Sequence, residues 1–226
     1  SDEMETRLAE MSGEMRGELL IGASAGIAEF MLPPMLGEFN ALYPQVRARL
    51  IVANSESVEN RVAEPTLDIG LIEVPSKRSG LTSEICRADE LLVICAPDYP
   101  LAGLAEVTPK ALVDYEYISR EPGSATREVT EAYFLKHKVS PDSLKMQMEL
   151  GSPEALKGVV ATGLGFAIMA SVAVESEVQQ GQLVAIPLKP RLKRSVHLIY
   201  QQDRFRSRLA DTFIKFAKIK LREIAV

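Results

Sequence analysis

Hydroxyl side chains recur in this chain where a strand-like run gives way to a helix-like one. Ser24 follows the apolar Leu19-Leu20-Ile21. Ser55 and Ser57 follow the alternating run from Val46 to Val52. Ser124 and Thr126 come after Tyr117-Ile118-Ser119, and Ser152 after the stretch from Lys145 to Leu150. A helix start leaves backbone N–H groups unbonded and carries a partial positive charge, and a serine or threonine adds a further donor. In open α/β sheets ligands sit beyond the carboxyl ends of strands, where such helices begin. Each serine taken singly reads as an N-cap, and Pro153 after Ser152 suits simple helix initiation. The set reads as a binding site for a small anion, lined by Ser24, Ser55, Arg120, Ser124, Ala125, Thr126 and Ser152.

The densest stretch is Ser119-Arg120-Glu121-Pro122-Gly123-Ser124-Ala125-Thr126-Arg127. A strand ends, Gly123 permits a tight turn, and a helix opens at Ser124. Arg120, at the strand edge, offers the planar guanidinium suited to oxyanions. Arg127, inside the helix, reads as a salt-bridge partner. Catalytic chemistry finds no comparable constellation. His137 and His197 stand apart from any residue at metal-ligand spacing, so no metal is expected. Gly-x-Ser-x-Gly, phosphate-loop and dinucleotide fingerprints are missing. Gly163-Leu164-Gly165 follows a helix and precedes a strand, which reads as a helix C-cap. Asp68, beside a strand, reads as capping a neighbouring turn. No cofactor and no enzymatic activity are expected.

These residues need elements to hold them. Apolar runs and breakers give strand, helix, strand, helix, strand from Gly17 to Ile72, with a helix starting or kinking at Pro33-Pro34. Residues 81–97 read as two extended stretches. The pattern then restarts at Tyr117, with later strands at Lys145–Leu150, Phe166–Met169, Val184–Pro187 and Ser195–Gln201. A last helix is predicted from Phe205 to about Leu221. Connections too long for hairpins predict mainly parallel sheets. Two successive βαβ sets predict an α/β protein of two Rossmann-like lobes. Lobe I takes residues 17–91 and 193–226, and lobe II takes 92–192, with joining segments crossing near 91 and 193. Met4, Leu8, Met11 and Met15 form one stripe, so residues 1–16 read as the end of a linker helix.

Composition narrows the classes. The chain has 226 residues, 46% hydrophobic and 25% charged, enough apolar material for a large core and too much for disorder. Lys and Arg number 26 against 31 Asp and Glu, a formal charge of −5. That balance suits a nucleic-acid binder poorly, because such affinity rests on neutralising phosphates. The longest uncharged run, Gly158 to Val174, is interrupted by glycines and reads as helix, turn and strand rather than a membrane span. Cys86 and Cys95 lie in apolar stretches and read as reduced, buried thiols of a cytoplasmic protein.

The order of motifs is similar to that of LysR-type effector domains. Gly17-Glu18-Leu19-Leu20-Ile21-Gly22, Leu32-Pro33, Phe39 and Tyr43-Pro44 resemble their opening. Leu67-Asp68-Ile69-Gly70, Ala96-Pro97-Asp98-Tyr99-Pro100-Leu101-Ala102, the Arg120–Arg127 run and Val159–Gly165 resemble later segments. Tyr99 departs from the usual histidine, and Ala170-Ser171 from a common proline. The resemblance runs from 17 to about 222 and implies a periplasmic-binding-protein-like fold that senses a small metabolite. It further implies DNA binding through an N-terminal winged helix-turn-helix outside this chain, and pairing into a homodimer or tetramer through the helices after Pro34 and Ser152. The Glu121–Arg127 run resembles the branch governing carbon fixation and sulfur or nitrogen assimilation, which implies an oxyanion or phosphorylated metabolite. The rival is a transporter's solute-binding protein, which has the same architecture.

Overall fold

In the computed structural model, residues 15–202 and 205–224 are described. The helix expected over residues 4–15 lies outside them except for Met15. The chain runs β1 (Arg16–Ala23), α1 (Ala25–Phe30), α2 (Leu32–Leu42), β2 (Gln45–Val52), α3 (Ser55–Ala63), β3 (Ile69–Ile72) and β4 (Leu81–Cys95). It continues through α4 (Pro109–Leu112), β5 (Glu116–Arg120), α5 (Ala125–Lys136), β6 (Lys145–Leu150), α6 (Pro153–Ala161), β7 (Ala167–Ala170), α7 (Ser171–Gln179), β8 (Val184–Gln201) and α8 (Arg208–Glu223).

Contacts divide the chain into two units. Among the described residues, one holds 15–53, 57–86, 197–202 and 205–224, and the other holds 54–56 and 87–196. In the first, β1 pairs in parallel with both β2 and β3. Leu19, Ile21, Ile69 and Leu71 on these strands are fully buried, as expected for a sheet covered on both faces. Pro33 and Pro34 fall in the first turn of α2, where a proline loses no helix bond. Phe39 of α2 meets Phe213 of α8 edge to face at 5.2 Å, fixing the last helix on this unit. Glycines let α3 come close: a Cβ on Gly22 would lie 3.3 Å from Val58 Cγ1, and one on Gly70 would lie 2.7 Å from the same atom. Asp68 accepts from the Leu20 amide at 2.8 Å and so ties the turn before β3 to β1.

In the second unit, β5 and β6 pair in parallel as a two-stranded sheet, and Phe166 bridges to Tyr117. Leu91, Val93, Phe134, Phe166, Ile168 and Ile186 form its core. Lys157 of α6 is buried and donates to the Ala173 carbonyl at 2.9 Å and to Glu177 at 2.7 Å, clamping α6 to α7.

The segments near residues 91 and 193, expected as crossings, lie within the long strands β4 and β8. The six strands follow the hydrogen-bonded order β2-β1-β3-β8-β4-β7. Expectations about strand direction and strand extent are corrected. The pairing is mixed, since β3–β8 and β4–β7 are antiparallel. Residues 81–95 form one strand instead of two, and 184–187 and 195–201 are the ends of another. No helix among the described residues is long and apolar enough to cross a membrane.

Candidate functional site

The turn from β5 into α5 gathers the largest group of expected residues. Gly123 at φ +91° makes the bend, conformational space that an L side chain rarely occupies. The Ser124 amide then bonds back to the Glu121 carbonyl at 3.2 Å. Ser124 is the N-cap of α5: its Oγ accepts from the Arg127 amide at 3.3 Å. The next two amides, those of Ala125 and Thr126, have no intrahelical acceptor. Thr126 Oγ1 accepts from Arg194 Nη1 at 3.0 Å. On α6, Ser152 Oγ accepts from the Ala155 amide at 3.4 Å, and Pro153 occupies the first helical position.

A pattern emerges from these bonds. A hydroxyl has one proton to give and lone pairs to receive. Ser124, Thr126 and Ser152 each receive a bond from the protein, which leaves the proton of each oriented away from that donor. Together with the Ala125 and Thr126 amides, the α5 turn is rich in donors.

Arginines divide into three roles. Arg120 Nε and Nη2 both donate to the neighbouring Glu121 carboxylate, at 2.9 and 3.0 Å, so its fork is already engaged. Arg127 staples the turn, donating to Glu131 one helical turn on, to Glu149 of β6 and to the Arg120 carbonyl. Arg194 was passed over in the sequence and is the third. Its side chain is only 3% exposed, bonded to Thr126 and 3.7 Å from Asp89 Oδ2. Asp89 is held in turn by the Ser171 hydroxyl at 3.2 Å and the Glu90 amide at 3.0 Å, both on Oδ1. The signal for Arg194 was the alternation Leu192, Arg194, Val196, whose members share one strand face and are all buried.

The remaining expected residues behave differently. Ser24, in the first unit, precedes α1 with its Oγ buried and without a hydrogen-bond partner among the described residues. Ser55 opens α3, and its Oγ is likewise buried without a partner among the described residues. Neither serves as a side-chain cap.

The comparisons with known proteins agree with this architecture. Residues 12–222 match the model of the LysR substrate binding domain. The chain is 35% identical over 216 residues to the HTH-type transcriptional regulator YeiE of Escherichia coli (strain K12), covering 95% of this chain and 72% of that protein. It is 30% identical over 210 residues to the RuBisCO operon transcriptional regulator of Acidithiobacillus ferrooxidans, covering 92% of this chain and 67% of that protein. Among solved structures, the regulatory domain of Synechocystis PCC6803 CcmR in complex with 2-PG superposes with a TM-score of 0.85 at 27% identity, covering 93% of this chain and all of that one. The effector binding domain of QuiR in complex with shikimate, at 16% identity, shares the fold with a TM-score of 0.81 over 94% of this chain and all of that one. The chain belongs to the LysR substrate binding domain family, the effector-sensing part of LysR-type transcriptional regulators.

Proposed function

We propose that the effector is a small anion, an oxyanion or a phosphorylated metabolite, held at the start of α5 by Ser124, Thr126 and the amides of Ala125 and Thr126. The observation that carries this is the direction of the hydroxyl bonds. Ser124 accepts from Arg127 and Thr126 accepts from Arg194, so each hydroxyl is oriented by an incoming bond and keeps its proton for a ligand. A ligand made of acceptors fits such a surface, and a partial positive helix end favours negative charge. Ser152, capping α6 in the same manner, belongs to the same donor set. Ser55, which belongs to the same unit, joins it because it carries a buried hydroxyl without a partner among the described residues, and a buried donor left unmade costs about 1–3 kcal/mol. Arg120 contributes through its Glu121 pair and holds the strand end, rather than giving a free fork.

The relatives support the anionic class. CcmR is described with 2-PG, and regulators of RuBisCO operons recur among the similar proteins. The groups gathered at the α5 turn are donors suited to holding an anion, and on that ground we read this part of the protein as a sensor rather than an enzyme. We further propose that it acts in the cytoplasm, that it pairs as a homodimer or tetramer through α2 and α6, and that DNA is contacted by a winged helix-turn-helix outside this chain. In α2, Leu32, Met35 and Phe39 are buried while Leu42 is 58% exposed, the kind of apolar residue that a partner covers.

Calorimetric titration with 2-PG, sulfite, sulfate and inorganic phosphate tests the reading. At least one should bind saturably, and Ser124→Ala or Thr126→Val should weaken it by about 0.5–1.5 kcal/mol each. Variants that bind as tightly as the parent would reduce these hydroxyls to structural groups.

A further inference from the structure

We propose that Arg194 is the residue that selects for the effector's charge. It would do so as a fixed cation beside the α5 turn and as the donor that orients the Thr126 hydroxyl. The inference rests on the reading of that turn as the anion site, and it adds a specificity determinant on a different element, β8.

Three observations carry it. First, Arg194 is buried where its chain neighbours are not. Lys189 and Arg191 on the same strand are 64% and 60% exposed and pair with Glu106 and Glu90 at the surface. A guanidinium keeps its charge at any ordinary pH, and burying it is costly unless it is paired and hydrogen-bonded. Second, one of its nitrogens is spent on a neutral hydroxyl, Thr126 Oγ1 at 3.0 Å, which brings the charge to the first turn of α5. Third, Asp89 positions the arginine from 3.7 Å, farther than the roughly 2.7–2.9 Å of a direct charge-assisted hydrogen bond. Its other oxygen is already taken by Ser171 and the Glu90 amide. The carboxylate is thus fixed by its own bonds and sets the place of the arginine. A cation so placed distinguishes a dianion from a monoanion, which hydroxyls and amides alone do weakly.

The test uses the 226-residue chain and two probes of fixed charge, sulfate and nitrate, with the double variant Asp89→Asn/Arg194→Gln. That change removes both buried charges together while keeping polar side chains at both positions, so no lone charge is left in the core. The expected result is a loss of about tenfold or more in sulfate affinity, the worth of a hydrogen bond to a charged group, with nitrate affinity much less affected. A merely structural pair would move both probes alike or neither. Where sulfate preference survives in the double variant while Ser124→Ala weakens both probes, the site stands and the role of Arg194 is overturned. If the parent protein takes up neither probe, the anion site falls and this inference with it. Should the double variant fail to fold, Arg194→Lys decides: a several-fold loss confined to sulfate supports the proposal, and unchanged sulfate affinity overturns it.

Discussion

Ser24 in the first unit and Ser124 in the second occupy equivalent places, each on extended backbone (φ −65°, ψ 156° and φ −66°, ψ 128°) immediately before a helix. Their side chains do opposite things. Ser124 Oγ caps α5 by accepting from Arg127, while Ser24 Oγ is buried with no partner among the described residues. Backbone geometry alone therefore does not make a cap. A twelve-residue helix spends its serine on its own first turn, and the six-residue α1 leaves its serine uncommitted. The cap stabilises the protein whether or not a ligand is present. The uncommitted hydroxyl is a local cost that only a ligand or ordered water would offset.

The sharpest way to break this contrast is to remove what supports the second-unit turn. Arg194→Ala leaves Asp89 buried and fully enclosed without its ion-pair partner, and loss of about 3–5 kcal/mol is expected in chemical denaturation. A cost under about 1 kcal/mol would mean that the pair is not part of the turn's framework. Next in size, Ser124→Ala deletes the α5 cap and should lower ligand-free stability by about 0.5–2 kcal/mol, visible as a lower thermal midpoint, besides weakening anion binding. Smaller still is Ser24→Ala. Because no bond among the described residues is lost, the thermal midpoint of the ligand-free protein should stay level or rise slightly. A clear drop in midpoint would show that Ser24 is an ordinary structural hydroxyl.

Burial itself provides a control that should not distinguish the units. Cys86 belongs to the first and Cys95 to the second, and both thiols are buried and free. Burial pushes the Cys95 thiol up to about 11 and raises that of Cys86 as well. Since the thiolate is the nucleophile, both should resist a thiol reagent near neutral pH and react only after denaturant is added. Rapid labelling of either in the native protein would show local opening around it.

Much of the fold was legible because buried strands announce themselves as short apolar runs, as in Leu19-Leu20-Ile21, and because Pro33-Pro34 and Gly163 sit where helices start and stop. The long strands were not. Glu84, Arg87, Asp89 and Glu90 interrupt the apolar pattern of β4, and Pro187 and Pro190 interrupt that of β8, so each strand read as two pieces. The hydroxyls at strand ends were legible because strand-to-helix turns favour them. Which of them cap and which stand free was not, since that depends on rotamer and on neighbours distant in sequence. Arg194 was hidden for a related reason. It sits in the run Lys189-Pro190-Arg191-Leu192-Lys193-Arg194, which reads as a solvated stretch until the period-2 alternation of a strand is imposed on it. Arg120 was legible as a cleft arginine by type and place, yet its nearest carboxylate, Glu121, is adjacent in sequence and takes its fork.

The most direct measurement of the central claim is backbone amide mapping by NMR during titration with an anion that binds, such as 2-PG or sulfate. Saturable shifts are expected, centred on the amides of Ala125 and Thr126, the two at the start of α5 with no intrahelical acceptor. Saturable binding that leaves these two amides unmoved would contradict it.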